Sequence, residues 1–142
     1  MSLSRDRFTG VNAAVLTPVT DDLIPDDALM LGYSKWLMAN GCDGLAILGT
    51  TGEANSFSLK ERIRIIERLI EGGISAKSLM PGTGSCALTD AVELTRMAVK
   101  AGCGGVLMLP PFYYKNPADA GLFRFFSEVI QRVGDSDLQI YL

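Results

Sequence analysis

The chain has 142 residues, 48% hydrophobic and 20% charged, a balance suited to one folded α/β-sized domain rather than a disordered or fibrous segment. A net charge of −3 without a clustered Lys/Arg run leaves no footprint for nucleic acid or an anionic membrane surface. Three scattered cysteines (Cys42, Cys86, Cys103) and no histidine exclude a zinc framework and read as small buried residues of a reducing compartment, so no metal and no cofactor is expected. The N-terminus has no apolar signal core and no stretch approaches a membrane span, which makes the cytoplasm the expected location.

Short apolar runs alternate with stretches of helical period. AAVLTPV (13–19) is the first predicted strand, and DDALMLGYSKWLMANG (26–41) a helix ended by Gly41. DGLAILG (43–49) is the second strand. Ser58 and Glu61 fit a capping box that opens a helix whose apolar stripe is Ile63, Ile66 and Ile70 before Gly72-Gly73. KSLMPGTG (77–84) gives a third, weaker strand. TDAVELTRMAVKAG (89–102) gives a third helix with Ala91, Leu94, Met97, Ala98 and Ala101 inward.

GGVLMLP (104–110) is the fourth strand. Asn116-Pro117 predicts the start of a fourth helix, with Leu122, Phe125, Phe126, Val129 and Ile130 on its buried face. DLQIYL (137–142) is the fifth strand. NGCDGLAILG (40–49) and AGCGGVLMLP (101–110) form a faint internal repeat of helix end, glycine and buried strand.

Continuous apolar strands between helices predict a parallel sheet. Four βα units and a strand match either a flavodoxin-like open sheet or the first half of a (β/α)8 barrel, which typically takes ~250 residues. Pattern alone leans to the open sheet, because half a barrel leaves strand edges and an interior exposed.

In either architecture the loops leaving the strands carry the site. They are Thr17-Pro18, Gly49-Thr50-Thr51-Gly52-Glu53, Gly82-Thr83-Gly84 and Pro110-Pro111-Phe112-Tyr113-Tyr114. The GTTGE turn combines closely spaced N–H donors with two hydroxyls, a composition able to hold a small carboxylate or oxyanion; turn capping would use the same residues. Gly82-Thr83-Gly84 lacks the remaining fingerprint glycine of a dinucleotide site and reads as structural. Tyr113 and Tyr114 serve acid–base chemistry or packing equally well.

Taken together, Thr17-Pro18, LGTTGE (48–53) followed by SLKER (58–62), PGTGS (81–85) and PPFYYKNP (110–117) resemble the dihydrodipicolinate synthase and N-acetylneuraminate lyase family, over nearly the whole chain. The resemblance implies a (β/α)8 TIM barrel of twice this length, usually a homotetramer, with residues 1–142 as the N-terminal half of one barrel domain: four βα units and strand 5.

It implies Schiff-base chemistry of the class I aldolase type on pyruvate or a related 2-oxo acid with an aldehyde partner, aspartate semialdehyde in a synthase or a sugar in related aldolases. By the resemblance, Thr51, Gly49 and Gly52 hold the pyruvate carboxylate, Thr50 relays protons and Tyr113 reaches the neighbouring subunit's site. Tyr141 is the nearest candidate for a catalytic tyrosine at the end of strand 5. Five lysines are present, Lys35, Lys60, Lys77, Lys100 and Lys115. None matches the family's Schiff-base lysine, which belongs to the sixth strand. Cys86 and Leu59 stand where lysine-inhibited members carry polar effector contacts, which argues against lysine feedback.

Overall fold

The computed structural model describes residues 8–142. Among them lie four short strands, β1 (Asn12–Ala14), β2 (Gly44–Ala46), β3 (Val106–Leu107) and β4 (Ile140–Tyr141), and four helices, α1 (Asp27–Ala39), α2 (Leu59–Glu71), α3 (Leu88–Lys100) and α4 (Asp119–Val133). The extended segment 79–83 joins the two strand pairs. Leu79 bridges Leu45 on one side, Gly82 bridges Leu107 on the other, and both bridges are parallel.

Since β1 pairs with β2 and β3 with β4, also in parallel, the spatial order follows the chain order. This order corrects the lean towards a flavodoxin-like sheet, in which the first strand lies between the second and third. Here segment 79–83 sits against β2 rather than β1. The helices agree: α1 packs on α2, α2 on α3 and α3 on α4, which places them in one layer on one face of the ladder.

Two apolar clusters fuse this layer to the strands. Val15, Leu45, Ile47 and Leu79 pack with Met30 of α1 and Ile65, Ile66 and Leu69 of α2. Val106 and Met108 pack with Ala91, Val92 and Ala98 of α3 and Val129 of α4. Leu16 is 54% exposed and Leu109 42% exposed next to the buried Val15 and Met108, so the face of the ladder away from the helices is left uncovered.

Local chemistry sets the element ends. Pro18 lies where the predicted first strand departs from the ladder; a small hairpin follows, with Val19 bridging Pro25 and the Asp26 N–H donating to the Pro18 carbonyl. Asp26 then caps α1 through its carboxylate on the Leu29 N–H. The Ser58–Glu61 capping box is present in full. The buried stripe of α2 is Arg62, Ile65, Ile66 and Leu69; of the predicted Ile63, Ile66 and Ile70, Ile66 is fully buried and Ile70 half-buried against the core.

Helix α4 begins at Asp119 with Ala118 as cap, not at Asn116-Pro117, because Asn116 adopts a left-handed φ of 52° that a helix cannot include. Of its predicted buried face only Val129 is fully buried, and Ile130 is 49% exposed. Cys86 is exposed, against expectation, while Cys42 and Cys103 are half-buried. Burial pushes the Cys103 thiol up to about 11. No helix among the described residues is long and apolar enough to cross a membrane.

Hydrogen bonds to Ser58 hold the Glu61 carboxyl below its ordinary 4.5. Replacing Ser58 by Ala removes the hydroxyl cap and is expected to cost about 1 kcal/mol in urea unfolding at pH 7. A carboxyl with a lowered native pKa contributes above its unfolded value and loses that contribution as pH falls through the native one. The part of the gap between wild type and Ser58→Ala that comes from the hydroxyl–carboxylate bond should therefore be lost as pH falls below 4.5, while the part from the hydroxyl on the Glu61 N–H remains. An unchanged gap across that range would show that the bond from the Ser58 hydroxyl to the carboxylate contributes nothing to the cap.

Candidate functional site

At the C-terminal end of β2 the chain turns sharply through Leu48 to Glu53. Leu48 has a φ of 55° and Glu53 of 49°, left-handed values that cost a branched or charged residue energy and that cluster at functional turns. The turn is held from within by Glu53 N–H to Thr50 carbonyl and Ala54 N–H to Gly49 carbonyl. It is held from the segment after β1 by the Thr17 hydroxyl, which donates to the Gly52 carbonyl at 2.8 Å.

Two glycines make this geometry possible. A Cβ on Gly52 would lie 2.8 Å from the Val15 carbonyl oxygen. A Cβ on Gly82 would overlap the Leu48 carbonyl oxygen. The GTTGE and GTG turns are thus packed backbone to backbone, and Gly82 is required where the two strand ends meet.

Beneath them lies a residue that the sequence reading did not single out. Arg62 of α2 is 5% exposed, and its Nη2 donates to the Gly82 carbonyl at 2.8 Å and the Gly84 carbonyl at 3.2 Å. Burial lowers its pKa, an effect opposed by the Asp90 carboxylate. The Thr83 and Thr95 hydroxyls, both fully buried, hydrogen-bond at 3.0 Å and fasten the same turn to α3. A signal for Arg62 existed: positions 62, 65, 66 and 69 share one helix face, so a charge there had to be buried.

Between the two turns a shallow cavity of about 50 Å³ is lined by Leu48, Gly49, Thr50, Ala54, Asn55, Gly82, Gly84, Leu107 and Leu109. A larger cavity, about 610 Å³, opens at the opposite ends of the strands beside Phe8, Asp43, Lys77 and Cys103. Parallel α/β folds carry their chemistry at the C-terminal strand ends, so the smaller cavity is the candidate site.

The expected residues divide accordingly. Gly49 and Thr50 line the cavity. Thr51 is exposed on the same turn. Gly52 is buried below it, with its carbonyl engaged by the Thr17 hydroxyl. Tyr113 is 74% exposed on the loop after β3, its ring edge-on to Tyr114. All five lysines are exposed, whereas amine catalysis requires a desolvated or charge-tuned lysine.

Tyr141 lies away from the smaller cavity. Its hydroxyl donates to the Phe8 carbonyl at 3.1 Å and its ring lies against Gly105 and Phe8, on the side of the larger cavity. The absence of a side chain at Gly105 makes room for the phenol ring there, since a Cβ at that position would lie 2.9 Å from it.

Gly82→Ala is expected to destabilise by about 3 kcal/mol because the new methyl meets backbone that cannot yield, as read by denaturant unfolding. Gly49→Ala, whose methyl would meet only the Leu107 side chain at 3.4 Å, should cost under about 1 kcal/mol. Tyr141→Phe should cost about 1 kcal/mol for the lost hydrogen bond if the residue only packs its strand, whereas a hundredfold fall in kcat of the whole protein would make it catalytic.

Residues 7–142 match the model of the Dihydrodipicolinate synthetase family. An uncharacterized DapA-like lyase of Chloroflexus aurantiacus is 39% identical over 134 residues, 93% of this chain and 44% of that protein. The crystal structure of dihydrodipicolinate synthase from Agrobacterium tumefaciens superimposes with a TM-score of 0.88 at 34% identity, over 95% of this chain and 47% of that one. YagE of E. coli, a prophage protein of the dihydrodipicolinic acid synthase family solved in complex with pyruvate, gives a TM-score of 0.81 at 29% identity over 94% of this chain and 44% of that one. The chain therefore spans under half the length of these relatives, and its ladder, turns and motifs place it in the dihydrodipicolinate synthetase family.

Proposed function

We propose that these residues form the carboxylate-binding wall of a pyruvate-dependent lyase, as the N-terminal half of a single (β/α)8 barrel with four βα units and strand 5. The observation that carries the reading is the Thr50-Thr51 turn. Thr50 lines the cavity at the C-terminal strand ends, and Thr17 and Gly52 fix the turn on which both hydroxyls sit. A volume of about 50 Å³ is only part of a metabolite site, which ordinarily measures some 300 Å³ or more. The remaining walls, and the amine that forms the Schiff base, come from the rest of the barrel. The pyruvate complex of YagE supports the substrate class.

In this reading Thr51 donates to the carboxylate of pyruvate. A lysine amine from the remainder of the protein adds to the keto carbon; loss of water gives an imine, and loss of a methyl proton gives the enamine that attacks an aldehyde. Thr50 passes the protons released and consumed in these steps, with Tyr113 from a neighbouring subunit as the next group in line. Its 74% exposure in the single chain fits a residue completed by an oligomer, tetramer or dimer. The aldehyde is aspartate semialdehyde, and the enzyme works in the cytoplasm. The frequency of synthases among the relatives favours that partner over a sugar aldehyde.

The test uses the whole protein that carries this chain. Borohydride in the presence of pyruvate should trap one pyruvate per chain by mass, and aspartate semialdehyde should be consumed with pyruvate in a coupled assay. Thr50→Val is expected to lower kcat about a hundredfold with little change in KM. Thr51→Val should raise KM for pyruvate about tenfold. No trapped adduct would exclude imine chemistry altogether; an adduct without semialdehyde consumption would move the second substrate to another aldehyde.

A further inference from the structure

Arg62 is an unusual group to find behind a substrate wall. Its side chain is 95% buried by its 5% exposure, and its Nε is buried without a hydrogen-bond partner among the described residues. The ion pairs found among those residues do not include it. Asp90 is the carboxylate close enough to act on it electrostatically. A buried guanidinium without a paired carboxylate is costly, and two carbonyls on one nitrogen recover only part of that cost. Hydrogen-bonding logic alone would be met by a neutral donor.

The location supplies a reason for the charge. Gly82 and Gly84, whose carbonyls accept from Nη2, both line the cavity together with Thr50. The cation therefore stands one peptide group behind the cavity wall. That wall is built from apolar side chains, glycines, one hydroxyl and one amide, with no charge of its own. A buried cation is poorly screened by solvent, so its field reaches into the cavity. By drawing two carbonyl oxygens towards α2, it also keeps their partial negative charge from facing an incoming anion.

We propose that Arg62 is a positioning residue that tunes this site for anionic substrates, acting on the substrate carboxylate through the Gly82 and Gly84 peptides while clamping the turn that faces Thr50. The inference rests on the reading of this cavity as a 2-oxo acid site and extends it by naming the group behind the wall that selects the acid. Discrimination between a 2-oxo acid and its uncharged analogue is then set in part by a side chain that never touches either.

The experiment first establishes borohydride trapping of pyruvate in the wild-type protein carrying this chain; absence of trapping would remove the underlying reading before any variant is made. Arg62→Met, Arg62→Gln and Arg62→Lys are then compared by thermal unfolding and by KM and kcat for pyruvate. Methionine fills the volume without charge, glutamine keeps an amide donor without charge, and lysine keeps the charge. Arg62→Met and Arg62→Gln are expected to raise KM about tenfold with kcat within about threefold, and Arg62→Lys to return KM to within about threefold of wild type. If Met does not fold, Gln carries the comparison with Lys. Neutral variants that fold and keep the wild-type KM would overturn the proposal, as would a lysine variant as impaired as the neutral ones, since both outcomes leave Arg62 with a packing role alone.

Discussion

The contact on which the upper edge of the molecule depends is the single guanidinium nitrogen of Arg62 between the carbonyls of Gly82 and Gly84. Where a parallel strand leaves the ladder, its last carbonyls lose their ladder partners. Segment 79–83 still donates into the ladder, from Gly82 to Ile47 and from Thr83 to Leu107, but its last carbonyls need another donor. Arg62 supplies it from the helix that follows the GTTGE turn. One side chain therefore links the strand end of one βα unit to the helix of the preceding one, and the two turns lining the cavity are fixed relative to each other.

Around that contact, close backbone approach does the rest. The Leu48 carbonyl rests on the Cα of Gly82 because no side chain intervenes, and Gly52 admits the Val15 carbonyl in the same way. The left-handed backbone at Leu48 and Glu53 is tolerated because packing on both sides leaves no relaxed alternative: Leu48 is 1% exposed, and Ala54, next after Glu53, is 8% exposed. The strain and the rigidity have one origin. A turn that must present two hydroxyls at fixed positions gains from such over-determination, since a mobile turn would lose binding energy to ordering.

How much of this could be read from the sequence depends on whether the signal was local. The capping box at Ser58 and Glu61 is a four-residue pattern with a local cause, and it is present as predicted. The order of the strands is not local. Each apolar run suits an open sheet or a barrel wall equally well, and only the pairing of segment 79–83 with β2 distinguishes them. Arg62 was hidden by its neighbours: in LKERIRIIER it reads as one charge of a solvated face, yet it lies on the buried stripe with Ile65, Ile66 and Leu69. Asn116-Pro117 carried a valid helix-start signal, overridden because Asn also favours the left-handed turn it adopts here. The GTTGE turn was legible as a site through its composition, whereas the division of labour within it, with Gly52 buried and Thr50 at the cavity, required the coordinates.

The two ends of the strands also differ in what they present. At the N-terminal end Tyr141 reaches Phe8 across most of the chain length and the Phe8 ring covers Gly44 and Gly104, contacts that close the ladder without presenting reactive groups. At the C-terminal end the ladder finishes in glycines, hydroxyls and a buried cation. This polarity has a physical source: the connections leaving the C-terminal ends are free to vary in shape because the helices and the opposite ends already fix the fold. Tyr141 illustrates the consequence, since a phenol on a strand is assigned by the end its hydroxyl reaches rather than by its position in sequence. The same reasoning makes the covered face and the bare face unequal partners. The helix layer supplies the folding energy through Ile65, Ile66, Leu69 and Val129, and the bare face, with Leu16 and Leu109 exposed, is the one that the proposed barrel would enclose.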